Sequence, residues 1–239
     1  MSTPYLAPSA LEELAFWERE LAGSGLHADE LAPRITPTRR AEAFPPLLSS
    51  SLVPMLRRRF GTDQPLRCLE IGTGPLSTLA HGVAVGWLDV TGIDVLADHY
   101  RELLARHGLA DYPVQPQAGR AEDLLEMFAQ GSFDLVYACN SLDHTDDAPR
   151  SFANLVAMTR PGGALVLQHH LNEGTHREWS DSHHWNMDLG DGGLCVTGRD
   201  GRTWPLGRRD DLELAYLSYR SYALDGWIDA VYLRRDVQG

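Results

Sequence analysis

The chain has 239 residues, 33 acidic and 21 basic, giving a formal charge of −12 with its ten histidines neutral, which is the size of one enzyme domain with an appendage. With 43% hydrophobic and 23% charged residues it can bury a sizeable core, which excludes disorder and collagen-like repeats. A surface this acidic repels phosphate backbones and anionic lipid, so neither nucleic acid nor a membrane is expected as a partner.

The opening MSTPYLAPSALEEL lacks the basic and apolar regions of a signal peptide, and no run approaches the roughly 20 apolar residues of a membrane span; a cytoplasmic protein is expected. Ser9 with Glu12 three positions later has the form of a capping box. It opens an amphipathic helix with Leu11, Leu14, Ala15 and Leu21 on one side, closed by Gly23-Ser24-Gly25. A second helical piece is predicted between Leu47 and Phe60, begun or bent by Pro54. Among the basic residues here, Arg57 to Arg59 read as a solvated helix face. Arg34 and Arg39, followed by Arg40, sit in a loop punctuated by Pro33 and Pro37, from which a guanidinium can reach an anionic ligand. Residues 1–62 thus form a helical cap or lid on a second unit, 63–239.

From residue 66 short apolar runs alternate with helical segments. The runs are Leu66 to Ile71, Trp87 to Ile93 ending at Asp94, Val114 to Gln117, Phe133 to Ala138 and Ala164 to Gln168. Helices are predicted over Ser77 to Val85, up to about His107, after Ala121-Glu122-Asp123, and from about Pro149 to Thr159, with Pro161-Gly162-Gly163 as a turn. Such alternation predicts an α/β fold: a Rossmann-like, mostly parallel sheet of seven strands with helices on both faces. Residues 171–212 break the alternation and read as a lid insertion, with a hairpin at Gly198-Arg199-Asp200-Gly201. Two late strands, near Leu212 to Tyr222 and Trp227 to Arg234, close one edge in antiparallel fashion. Three cysteines, Cys68, Cys139 and Cys195, without C-x-x-C spacing read as reduced thiols, neither a disulfide framework nor a cysteine zinc site.

Ligands of parallel sheets bind at the carboxyl ends of the strands. There the chain places Gly72-Thr73-Gly74 after the first strand and Asp94 20 positions beyond Gly74. Glycines let backbone approach a ligand closely, and the acid suits two ribose hydroxyls, so an adenosine-type ligand is indicated. Ser77 where a third glycine would stand, and Pro75 inside the loop, disfavour the pyrophosphate of NAD or FAD.

These residues, with LEIGTGP (Leu69 to Pro75), Gly92-Ile93-Asp94-Val95, GRAEDL (Gly119 to Leu124), FDLVYACNSLDH (Phe133 to His144) and RPGGALVL (Arg160 to Leu167), resemble the class I S-adenosylmethionine-dependent methyltransferases. The resemblance runs from residue 66 to about 170 in order and spacing. It implies that Gly72, Thr73 and Gly74 pass the methionine portion with Glu70 beneath. It implies further that Asp94 and Val95 meet the ribose, that Ala121 and Glu122 border the adenine, and that Asn140 and Ser141 line the sulfonium side. Arg120 departs from the acidic residue often found there. NSLDH with HHLNEGTHREW (His169 to Trp179) and HHWNMD (His183 to Asp188) is similar to a narrower group on the same scaffold, which includes azetidine-2-carboxylate synthases.

Methyl transfer is an in-line displacement. It needs a nucleophile about 3 Å from the methyl, exclusion of water and, for a hydroxyl or amine acceptor, a base. Candidate bases are His144, His169, His170 and Glu173. Trp179, with Trp185 and Trp204 nearby, offers an aromatic face to a sulfonium. His169, His170, His176, His183 and His184 with Glu173, Asp181 and Asp188 invite a metal, yet the spacing matches no ligand pattern, and none is expected. The expected function is therefore a methyltransferase acting on a small molecule in specialised metabolism, with Asn140, His144, His170 and Trp179 at the reacting end. The alternative is a cyclase in which S-adenosylmethionine closes on itself to azetidine-2-carboxylate, with Arg34 gripping its carboxylate. A non-catalytic binding protein is a third reading, which intact Glu70, Gly72, Gly74 and Asp94 disfavour. Exposed edge strands would allow a homodimer.

Overall fold

The computed structural model describes residues 7–37, 47–179, 182–190, 193–221 and 226–236; Arg39, Arg40, Asp181 and Tyr222 lie outside them. Helix α1 (Pro8–Leu21) starts at a proline, whose fixed φ suits the first turn and whose missing N–H needs no partner there. Ala7 is the N-cap and no side chain caps it, so the predicted Ser9–Glu12 capping box does not form. Leu14, Trp17 and Leu21 bury one face, while Leu11 is 55% exposed. Helix α2 (Ala28–Ile35) holds Pro33 in its last turn, so Arg34 extends from a helix rather than the predicted loop. The segment 47–60 is a π-helical stretch, Leu47–Leu52, running into α3 (Val53–Phe60), with Pro54 in its first turn. Its fully buried Leu48, Val53 and Leu56 pack on one face of the sheet, each such side chain contributing about 1.5–3 kcal/mol.

The sheet begins with β1 (Leu66–Ile71), followed by the short α4 (Ala80–Ala84). This helix is shorter than the predicted Ser77 to Val85. The Ser77 hydroxyl donates to Glu70 and accepts from the Leu79 amide at 3.0 Å, local bonding that competes with helix. Then come β2 (Leu88–Asp94), α5 (Ala97–Arg106) and the two-residue β3 (Gln117–Ala118). The predicted run from Val114 pairs only from Gln117 onward. Pro116 has no N–H for a ladder, and Val114 is instead buried against Leu31, Leu76 and Tyr112. Next are a 3-10 turn at Ala121–Asp123, α6 (Leu124–Met127), β4 (Phe133–Cys139), a second 3-10 turn at Leu142–His144, α7 (Ala148–Met158) and β5 (Thr159–His170). The Pro161-Gly162-Gly163 turn is absorbed into β5 as an irregularity opposite Phe133 and Leu135, with Gly162 at φ 75°.

Beyond β5 a single turn, α8 (Glu173–His176), leads to β6 (Trp185–Gly190), β7 (Gly193–Gly198) and β8 (Thr203–Pro205), a separate antiparallel sheet of three strands. β9 (Leu212–Arg220) and β10 (Trp227–Arg234) return to the main sheet, whose order is β3-β2-β1-β4-β5-β10-β9. Strands β1 to β5 pair in parallel, whereas β10 runs antiparallel to both neighbours. Sequence predicted this architecture, but not β6. β4 is buried along nearly its whole length, as a strand covered on both faces must be. On one face the small sheet contributes Met187, Leu194 and Val196 to the core of Phe152, Leu155 and Tyr232. Cys68 and Cys195 are buried, and all three cysteines are free thiols. Among the described residues no helix is long and apolar enough to cross a membrane.

Candidate active site

A cavity of about 600 Å³ opens at the carboxyl ends of β1, β2, β4 and β5, within the 300–1,000 Å³ typical of small-molecule sites. Its floor follows from the glycine loop. Gly72 and Gly74 have φ of 64° and 60°, conformations that side chains with a Cβ seldom adopt. A Cβ on Gly72 would lie 2.3 Å from that of Ser141. Under the loop Glu70 accepts hydrogen bonds from the Ser77 hydroxyl and, at 3.0 Å, the Thr78 amide. Burial nevertheless pushes its carboxyl up to about 7, against these bonds and the field of Arg34. Asp94, 9% exposed, accepts from the Gly74 amide at 3.0 Å and the Leu96 amide at 2.9 Å, one bond to each oxygen. Each oxygen keeps a further acceptor position. Burial raises this carboxyl to about 6. Glu122 accepts from the Asp146 and Asp147 amides at 2.8 and 3.2 Å and so ties the loop after β4 to the rim.

The other half of the cavity is built where β4 and β5 end. Asn140 has φ 48°, and its side-chain oxygen accepts from the His170 amide at 3.2 Å. His170 stands opposite Trp227 in the β5–β10 register, their rings edge-to-face with centroids 4.7 Å apart. The Trp227 indole donates to Asp229 at 2.9 Å, as does Gln168 at 2.5 Å, which fixes that aromatic wall. Helix α1 supplies Glu13 and Trp17 and α2 supplies Arg34; the Tyr100 hydroxyl donates to Glu13 at 2.5 Å.

Beside this half lies a cluster of imidazoles around Asp143, which is 1% exposed. Its Oδ2 is 2.8 Å from His183 Nδ1 and 3.4 Å from His144 Nε2, and its Oδ1 is 3.9 Å from His169 Nδ1. Burial pushes the Asp143 carboxyl up, but His144, His183 and His169 outweigh it and hold the group below its ordinary range. Burial lowers His169 to about 4, keeping that imidazole neutral.

Of the residues singled out in the sequence, Arg34, Glu70, Gly72, Thr73, Gly74, Asp94, Val95, Ala121, Glu122, Asn140, Ser141, His144 and His170 all line this one cavity. Trp179 does not. It has φ 54°, its amide donates to the Gly174 carbonyl, and its ring packs against Gly174. No described residue of the 171–212 insertion lines the cavity either, because the small sheet is docked on α7 and β10. Sequence reasoning missed Glu13, Trp17, Cys139 and Trp227. Glu13 and Trp17 are four apart on α1, a same-face spacing legible in the sequence, whereas Trp227 depends on strand register.

The chain matches a family of methyltransferase domains over residues 45–206. It is 33% identical over 101 residues to the O-methyltransferase resE of Aspergillus sclerotiorum, covering 41% of this chain and 38% of that protein. It is 30% identical over 106 residues to the O-methyltransferase rstn1 of Aspergillus nomiae, covering 42% and 45%. The match thus spans less than half the length of these curated relatives. Among solved structures, the trans-methyltransferase CalH in complex with SAH superposes with a TM-score of 0.52 at 17% identity, over 77% of this chain and 55% of that one.

Proposed function

The chain belongs to the methyltransferase domain family, of the class I S-adenosylmethionine-dependent type, and from that premise we propose that it methylates an oxygen of a small molecule. The observation that carries this reading is the Asp94 carboxylate, held by the Gly74 and Leu96 amides on the wall of the cavity. The residues fit the cofactor. A glycine loop that a Cβ would fill faces the Ser141 side chain, and Asp94 retains acceptor capacity for two ribose hydroxyls. Asp94 would hold the ribose, Gly72 to Gly74 the methionine portion, and Ala121 and Glu122 the adenine edge. S-adenosylmethionine, when bound, supplies a methyl group already activated by its sulfonium.

The remaining work falls to the chain's own groups. Asn140 braces the His170 backbone, and His170 with Trp227 forms the wall against which an acceptor hydroxyl would lie. His170 then removes the hydroxyl proton as oxygen attacks, a contribution of about 10²–10⁴ in rate. Trp227, and not Trp179, presents the aromatic face at this end of the cavity. The curated relatives' names favour transfer over self-cyclisation. We further place residues 1–62 as a cap, the enzyme in the cytoplasm, and its role in specialised biosynthesis. A homodimer has an available surface in the edge strand β9, with Tyr216, Leu217 and Tyr219 exposed, and light scattering showing a monomer would remove it. The test of the reaction is His170→Gln. With a hydroxylated acceptor, turnover to S-adenosylhomocysteine should fall at least about 10²-fold while calorimetric affinity for S-adenosylmethionine stays within a factor of about two. Unchanged turnover would remove His170 as the base.

A further inference from the structure

The Asp143 cluster has no part in the mechanism above. Asp143 and His144 come from the turn after β4 and His183 from the approach to β6, and one ligand atom of each lies within 4.8 Å of the other two. Bond lengths of about 2.0–2.2 Å to zinc place tetrahedral ligands about 3.3–3.5 Å apart. The 3.4 Å between Asp143 Oδ2 and His144 Nε2 already has that spacing, and the 2.8 Å to His183 Nδ1 needs to open by about half an ångström.

Two more observations point to a cation. Asp143 Oδ1 is buried without a hydrogen-bond partner among the described residues, and so are both ring nitrogens of His169, fully buried with Nδ1 3.9 Å from that oxygen. Buried polar atoms are rarely left in this way. In addition, among the described residues the basic groups within 4.0 Å of the Asp143 carboxylate are the imidazoles of His144, His169 and His183, with no arginine or lysine to compensate a buried carboxylate. Two imidazoles and one carboxylate suit the borderline divalent transition metals rather than magnesium or calcium.

We propose that Asp143, His144 and His183 form a binding site for a divalent transition-metal ion of the zinc class, with His169 packed beside Asp143. His144 also lines the cavity, so the ion stands at its wall. Its role there rests on the methyl-transfer reading: coordinating the acceptor oxygen lowers the proton affinity of that hydroxyl, the O–H proton passes to His170, and no electron is exchanged. Metal binding itself does not depend on that reading. The sequence spacing hides such a site because His183 lies about 40 positions beyond the adjacent Asp143 and His144.

The test uses the full chain, stripped with a chelator and titrated with Zn²⁺ alone by calorimetry, and with Co²⁺ alone by visible absorption. One saturable equivalent is expected, weakened at least about 10-fold in Asp143→Asn, His144→Gln and His183→Gln and unchanged in His184→Gln. Thermal unfolding checks each variant. His144, only partly buried, keeps the test open should Asp143→Asn fail to fold. Absence of saturable binding, or binding that His144→Gln and His183→Gln leave unchanged, would overturn the site. S-adenosylmethionine affinity measured on the same samples separates the two readings. In the unaltered chain, no S-adenosylmethionine binding with saturable zinc binding intact counts against the methyltransferase site, and S-adenosylmethionine binding without saturable zinc binding counts against the metal.

Discussion

Asp94 and Glu70 are both buried carboxyls at the carboxyl end of the sheet, yet their surroundings assign them different work. Each Asp94 oxygen takes one amide bond and has acceptor capacity left for a ligand. Asp94→Ala should weaken S-adenosylmethionine binding by about 1–3 kcal/mol, the worth of hydrogen bonds to a charged acceptor; unchanged affinity in calorimetry would remove it from the site. Because burial raises Asp94 to about 6, and only the ionised group accepts both hydroxyls, affinity should hold above that pH and decline as pH falls through it. Glu70 makes its bonds inward, to Ser77 and Thr78. Its carboxyl rises from an ordinary 4.5 to about 7 in the fold, so the folded chain binds the proton more tightly than the unfolded one. The resulting stability is complete below 4.5 and is lost as pH rises through 7, about 3 kcal/mol in all. Denaturant unfolding of the ligand-free protein should show that decline, and Glu70→Gln should flatten it; an identical slope in the variant would contradict the assignment.

At the scale of elements, the cavity depends on how α1 docks. Leu14, Trp17 and Leu21 pack on Leu96, Tyr100 and Leu103 near α5, and the Trp17 ring approaches Gly74 so closely that a Cβ there would meet it at 3.2 Å. Trp17→Ala should therefore both destabilise the chain, by about 3 kcal/mol if the space does not refill, and loosen cofactor binding. Calorimetry on a variant that stays folded checks this, and full affinity with α1 loosened would mean that α1 has no part in binding. The helix was legible in its period, but its start and faces were not. Ser9 and Glu12 have the letters of a capping box, while Pro8 one residue earlier sets the first turn, and docking of Leu14, Trp17 and Leu21 leaves Leu11 exposed. Similarly, Ser77 reads as helix until its hydroxyl is drawn to Glu70, and Val114 reads as strand until Pro116 withholds a ladder donor. In each case a contact distant in sequence, or a proline, overrode local propensity.

For the molecule as a whole, five apolar runs and their intervening helices were enough to predict a seven-stranded, mostly parallel sheet, because strands buried on both faces have little alternative composition. The late pair was also predicted to close an edge. What the sequence could not convey was register and docking. Trp227 faces His170 only because β10 pairs with β5 one residue opposite the other, and the small sheet of β6 to β8 covers α7 rather than the cavity. The site was legible in the same proportion. Glu70 to Gly74, Asp94, Ala121, Glu122, Asn140 and Ser141 occupy strand ends, where topology gathers them. Glu13, Trp17 and Trp227 arrive by packing, and the Asp143 cluster is assembled from two segments about 40 positions apart whose spacing matches no metal-ligand pattern.

Methyl transfer from S-adenosylmethionine to a small-molecule oxygen leaves products that mass spectrometry reads in one experiment. The purified protein would be incubated with S-adenosylmethionine alone and then with hydroxylated acceptors. The cofactor should remain intact alone and turn over to S-adenosylhomocysteine, with one methyl group gained by the acceptor oxygen, only when an acceptor is present. Methylthioadenosine and a four-membered cyclic amino acid formed from S-adenosylmethionine alone would contradict it.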